Sequence, residues 1–233
     1  MRALAGFLVC IVAAGSWAAA GAEEIGKVVT VRSQVLAIES GKPPRQLVRL
    51  DPVANGLRVR LTQPDSLLRV AFYDSKKPPL VREGPQSLKI DGSLVFRGKA
   101  EAVVGQRKSA DESKGIITTI ETLWGRLLLM LRPGQNHEAE VKTPDLASGI
   151  KGTAVRVLVD RAFGTFLAVD EGVAVVQAVA GGDPVVVRSG QWVLVPPGGL
   201  PTQPAPLDGG VDILDEPPLQ GHDVSTEPPE PPQ

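Results

Sequence analysis

The amino-acid sequence predicts an all-β domain of many short strands, closed or stacked rather than assembled from βαβ units. Three observations carry this. Between residues 23 and 195 the hydrophobic period is two: Leu57, Val59 and Leu61 alternate with Arg58 and Arg60, while Leu68, Val70 and Phe72 share one face, as do Val155, Val157 and Val159. That alternation is the mark of a half-buried strand. The stretches GVAVVQAVA and PVVVRSGQWVLV are dense in valine, whose branched side chain is stiff at χ1 and suits a pleated surface. Turn signals recur at short intervals, at Asp74-Ser75, Glu83-Gly84, Asp91-Gly92, Gly98, Gly105, Pro133-Gly134, Gly164 and Gly181-Gly182, as expected for short strands in a sandwich or barrel.

The elements divide into three pieces. The chain opens with MRALAGFLVCIVAAGSWAAAGAEE, in which Arg2 is a positive n-region, Leu4 to Ala14 a short apolar run and Ala20-Gly21-Ala22 a small-x-small cleavage site. This is the layout of a secretory signal over residues 1–22, and the apolar run is too short to span a bilayer. A lipoprotein reading of Phe7-Leu8-Val9-Cys10 fails because no small residue precedes the cysteine. Residues 23–195 form the β domain. Within it, IITTIETLWGRLLLML reads two ways: Ile116, Ile120, Leu123, Leu127 and Met130 would line a helix face, whereas the β-branched run from Ile116 to Ile120 and the internal Gly125 favour two strands. We expect strands. Residues 196–233, from PPGGLPTQPAP to TEPPEPPQ, are Pro-rich and acidic with few large apolar groups. Such a segment buries too little to offset its ordering entropy and reads as a disordered tail.

Composition narrows the function classes. Cleavage after Ala22 would remove Cys10, the only cysteine, leaving no disulfide, thiol nucleophile or thiolate metal site. A secreted domain of this kind must be held together by burial, for which the length is ample. No later segment is a candidate membrane span, so the expected location is the periplasm or beyond. The net charge of −1 conceals a split: no Lys or Arg follows Arg188, while Asp208, Asp212, Asp215, Glu216, Asp223, Glu227 and Glu230 give the tail a charge of −7 against +5 on residues 23–195. The tail reads as a solubility device or as a shield for a basic face.

The most distinctive segment is VKTPDLASGIKGTAVRVLVD, Val141 to Asp160. Pro144 lacks an N–H and ends the ladder before it, pushing Thr143 toward extended geometry. Asp145 and Ser148 can bond nearby amides and hold a bend. Gly149 and Gly152 offer positive φ or room for a close backbone. Thr153 then starts an alternating strand. The segment is a corner in a crowded place. Its Val141, Thr143, Pro144, Gly149, Ile150, Lys151, Gly152 and Thr153 resemble the signature of the FecR domain family, a Val-x-Thr-Pro start, a small-residue bend and an Ile/Val-basic-Gly-Thr close. GRLLLMLRPG before it, and DEGVAVVQ and RSGQWVLVPPGG after it, are similar to flanking strands of that family; residues 26–90 match loosely. The resemblance implies a bacterial cell-envelope domain, a twisted β-roll or solenoid-like sandwich. The best-known members carry a cytoplasmic segment and a membrane helix and control a sigma factor. Here a cleavable signal stands in their place, so the resemblance extends to the exported module and not to that control.

Candidate chemistry is sparse. His137 follows PGQN in a turn and His222 lies in the tail, and no nucleophile and acid accompany either. Asp170-Glu171 and Asp111-Glu112 are neighbours, which on a strand point to opposite faces and do not converge. No His or Cys cluster and no calcium-loop pattern suggests a metal, and no phosphate loop suggests a nucleotide cofactor. No catalytic, cofactor or metal residues are therefore expected. Arg45, Arg49, Arg58, Arg60 and Arg69 fall within a short span, several at alternate positions, as a solvated strand face or as a basic face for an acidic partner. Few aromatics interleave with them, which argues against single-stranded nucleic acid. Trp124 and Trp192 are expected in the core. The sequence thus points to a non-enzymatic interaction or sensory module whose partner is an envelope protein or, alternatively, a cell-wall glycan.

Overall fold

Long runs of alternating residues make strands that outgrow a single layer. In the computed structural model, which describes residues 23–72, 92–109, 116–131 and 138–207, there are fourteen strands and no helix. Four of them are two to three times the usual strand length: β7 (Gly92–Lys108), β8 (Ile116–Leu131), β10 (Leu146–Asp160) and β11 (Gly164–Ala178). Each changes partners midway along its length, so its two halves lie in different layers of one continuous fourteen-stranded sheet, called here the first and second sheets.

The first sheet runs in the order β4 (Pro52–Ala54), β1 (Glu24–Arg32), β6 (Leu67–Phe72), the first half of β7, the second halves of β8 and β10, the first half of β11, β13 (Gln191–Val195) and β14 (Ala205–Pro206). The second runs β3 (Arg45–Gln46), β2 (Val35–Ile38), β5 (Leu57–Leu61), the second half of β7, the first half of β8, β9 (Glu138–Lys142), the first half of β10, the second half of β11 and β12 (Val185–Arg188). Only the β8–β9 ladder is parallel among the described pairings. The inward residues of both layers form one continuous core: Val70, Phe96, Leu127, Val157 and Leu167 from the first, Val59, Ala102, Ile120, Ile150 and Val176 from the second. The result is an all-β architecture, closed and stacked as the period-two pattern and recurring turns predict.

The bends are built from glycine. Pairing of β7 with β8 jumps from Arg97↔Arg126 to Glu101↔Trp124, so Gly98, Lys99 and Ala100 bulge over Gly125. Gly125 has φ +113°, and a Cβ there would lie 2.4 Å from that of Ala100. No other residue type fits this position. In β10 the register breaks between Lys151 and Ala154, where the strand leaves β9 and joins β8. The bend therefore falls at Gly152-Thr153.

Two expectations are refined. Residues 116–131 are strand, but one continuous bent strand rather than two. Residues 196–207, grouped with the tail by composition, belong to the folded body. Thr202 N–H donates to Leu194 O (2.9 Å), Ala205–Pro206 pair with β13, and Leu207 N–H donates to Gly190 O (2.7 Å). Leu207 joins Leu158, Phe166, Ala168, Trp192 and Leu194 in a small second cluster on the outer face of the first sheet. Prolines cannot donate to a ladder, but they can lie along an edge strand as these do. Trp192 is accordingly not in the main core: its ring stacks on Phe166 at 4.8 Å and its Nε1–H donates to Pro206 O (3.1 Å). Residues 1–22, read above as a signal, residues 208–233, His137, His222 and Asp111-Glu112 lie outside the described residues.

Candidate functional site

The signature segment forms the β9–β10 hairpin, and its chemistry is architectural. Thr143 Oγ1 accepts the N–H groups of Asp145 (3.2 Å) and Leu146 (3.1 Å), capping the turn. Thr165 of β11 donates its hydroxyl to Asp145 Oδ2 (2.8 Å), which leaves the Thr143 hydroxyl to donate to Thr165 Oγ1 (2.8 Å). All three side chains are buried. This relay ties the turn of the second sheet to an inward residue of the first and satisfies the polar groups it buries. Val141 and Ile150 lie in the core, while Pro144, Gly149 and Lys151 are exposed. The cap comes from Thr143 rather than from Ser148, whose Oγ has no partner among the described residues. Gly149 needs no special backbone: its φ is not positive and a Cβ there would meet nothing within 4 Å. Of Thr153 only its strand position is described.

The five arginines singled out in the sequence do not form one face. Arg58 and Arg60 project from the second sheet and share one carboxylate: Arg58 Nε donates to Glu101 Oε1 (2.6 Å) and Arg60 Nε to Glu101 Oε2 (2.8 Å). Glu101 is 5% exposed. Burial pushes its carboxyl up, but the hydrogen bonds and charges of Arg60 and Arg58 outweigh this and hold it below the usual carboxylate value. Arg45 is engaged by Asp51 (2.7 Å) and Glu39 (3.7 Å), and Arg49 is exposed in the β3–β4 loop. Arg69 alone of the five projects from the outer face of the first sheet.

The cations that do converge are others. On the outer face of the first sheet the ladders align Arg32, Leu67, Arg97, Arg126 and Leu158 in one row across β1, β6, β7, β8 and β10. This row floors a cleft of about 1160 Å³ at the strand bends, to which Lys99 from the β7 bulge and Arg161 from the β10–β11 turn add two further charges. Two carboxylates, Asp65 and Asp160, also line it. Each is occupied with local structure: Asp65 Oδ2 accepts the Ser33 hydroxyl (2.6 Å), and Asp160 Oδ1 accepts the N–H groups of Ala162 (2.7 Å) and Phe163 (3.3 Å). Among the described residues no carboxylate makes an ion pair with Arg32, Arg97, Lys99 or Arg161. Arg97 stands directly opposite Arg126, a like-charge juxtaposition that costs free energy on a ladder. Trp124, half-buried rather than in the core, forms part of the wall.

Sequence reasoning missed these residues because each lies far from the next along the chain. Their signal was nonetheless present. Arg97-Gly98-Lys99 and Gly125-Arg126 place basic residues beside glycines inside strand patterns, where bulges and bends re-aim side chains.

The arrangement defines an all-β sandwich with an electropositive cleft on one face. Its residues supply charge, hydrogen-bond donors and an aromatic wall, which are means of binding an anion. Among the described residues no group of three His, Cys, Asp or Glu could hold a metal ion. No family model, curated protein or solved structure matches the chain.

Proposed function

We propose that the protein is a non-enzymatic, exported interaction module, a FecR-like β domain of the periplasm, that works by binding an acidic segment of an envelope protein in the cleft between Arg32 and Arg161. The observation that carries this reading is the alignment of Arg32, Arg97 and Arg126 in one row, flanked by Lys99 and Arg161, five cations against the two lining carboxylates Asp65 and Asp160. Aligned cations in excess over nearby acids attract an extended polyanion and steer its approach. Export rests on the n-region, apolar run and cleavage site of residues 1–22, and the family reading on the local signature at 141–153. The signature hairpin supports the role of a scaffold, since its polar groups are consumed within the fold.

A second reading, an acidic cell-wall glycan, is favoured by Trp124 in the same wall, because an aromatic face can stack on a sugar ring. Fluorescence anisotropy with a labelled poly-glutamate peptide, set against a neutral glycan and an acidic one, separates the two. The proposal expects poly-glutamate to bind with an affinity that falls steeply with salt, and to lose about tenfold or more in the Arg97→Glu, Arg126→Glu variant. Binding of the acidic glycan alone would favour the second reading. Binding of neither would overturn both.

A further inference from the structure

The outer face of the first sheet carries a second row beside the cleft. Two residues along each strand from Arg32, Leu67, Arg97, Arg126 and Leu158, the same ladders align Thr30, Arg69, Val95, Leu128 and Arg156. On every one of these strands the two rows place one arginine and one uncharged residue: Leu67 with Arg69 on β6, Arg97 with Val95 on β7, Arg126 with Leu128 on β8. The order reverses from strand to strand, except between β7 and β8. Cations and aliphatic side chains thus form a chequered surface. Arg69 is exposed, while Leu67, Val95 and Leu128 are half-buried. No carboxylate stands in either row, and Arg156, at one border, is held by Asp170 (2.9 Å).

We infer that the acidic segment bound here carries aliphatic side chains on the same face as its acids, at every second position of an extended chain. This rests on reading the cleft as a site for acidic segments. On the chequered surface an arginine and its nearest aliphatic neighbour lie about 4.8 Å apart across a ladder and about 6.8 Å apart along a strand. Side chains on one face of an extended chain also recur at about 6.8 Å. An acid and an aliphatic residue two positions apart therefore meet a cation and an apolar neighbour together. A Glu-Xaa-Val-Xaa pattern does this, whereas Glu-Val-Xaa-Xaa, of the same composition, turns its valine to the opposite face. Charge alone would be met by an anion of any shape. The interleaved Leu67, Val95 and Leu128 select for apolar groups between the charges, because covering them removes aliphatic surface from water. Poly-glutamate is served by the cleft row; aliphatic side chains add Val95 and Leu128 of the second.

Two labelled peptides test this by fluorescence anisotropy on the full chain. One repeats Glu-Ser-Val-Ser and the other Glu-Val-Ser-Ser, so that composition and charge are equal and only the facing of the valine differs. The first should bind about five- to tenfold more tightly, and it alone should shift the methyl signals of Val95 and Leu128. The Val95→Thr, Leu128→Thr pair should bring the two affinities together and leave that of the weaker peptide unchanged. The comparison on the parent chain needs no variant to fold.

The outcomes separate this inference from the reading beneath it. Equal binding of both peptides, lost in the Arg97→Glu, Arg126→Glu chain, overturns the inference and leaves the cleft reading standing. A preference for the first peptide that survives Val95→Thr, Leu128→Thr overturns it as well, since the aliphatic contacts would then lie elsewhere. Binding of neither peptide overturns the cleft reading itself. Saturable binding to phosphatidylglycerol vesicles with no binding of either peptide would give the face to a lipid surface and overturn both.

Discussion

At the scale of single residues, the buried relay Thr143–Thr165–Asp145 shows why the signature turn contains a threonine before its proline. The hydroxyl accepts two turn amides and donates across the sandwich. Thr143→Val keeps the shape and removes all of these bonds. It should cost about 1–3 kcal/mol in urea unfolding, while poly-glutamate binding stays at the parent value. A loss of binding with stability intact would mean that the turn belongs to the site. Gly125 makes a different demand: positive φ and a clash with Ala100 together forbid a side chain, so Gly125→Ala should cost about 2–4 kcal/mol. Gly149→Ala, by contrast, should be close to neutral in the same assay. Thr-Pro and the glycines marked this region as a corner in the sequence. Which glycine was obligatory was not legible, because the answer depends on Ala100, a residue brought against Gly125 only by pairing.

At the scale of elements, the alternating patterns at Leu57–Leu61, Leu68–Phe72 and Val155–Val159 translated directly into strands with those residues in the core, since period-two burial is local information. The long bent strands were less legible. Whether IITTIETLWGRLLLML makes two strands or one depends on Gly125 serving as a bend within a ladder rather than as its end. Residues 196–207 misled for a similar reason: their prolines suit an edge strand once β13 is there to receive it. The β5–β7 ladder gives this scale its own prediction. Glu101 on β7 holds Arg58 and Arg60 on β5, and its carboxyl lies below the usual value because those hydrogen bonds and charges outweigh burial. A carboxyl lowered on folding stabilises fully above its unfolded value, and that contribution fades as pH falls through the lowered native value. Glu101→Gln should therefore cost about 1–2 kcal/mol at neutral pH, a modest figure because the arginines are half-exposed to water. The difference from the parent should shrink as pH drops below the ordinary carboxylate range. A difference that stays constant into acid would show that the pair's charge contributes nothing.

At the scale of the whole molecule, the two sheets divide the labour. The second sheet neutralises its arginines internally through Glu101, Asp51 and Glu39, whereas the first gathers cations at the bends of β7 and β8 and leaves four of them without a carboxylate among the described residues. The charge split along the sequence, basic body and acidic tail, was visible from composition. The face that carries the charge was not, because alternate arginines on β5 are conspicuous in one dimension, while Arg32, Arg97 and Arg126 become neighbours only through register. The central claim is that this row is where the protein meets its partner. The measurement that tests it most directly is a titration of the isotope-labelled chain with poly-glutamate, followed by amide chemical shifts. The account predicts saturable shifts confined to Arg32, residues 97–99, 124–126 and 158–162. Shifts centred instead on Arg45, Arg58 and Arg60, or scattered over both sheets without saturation, would contradict it.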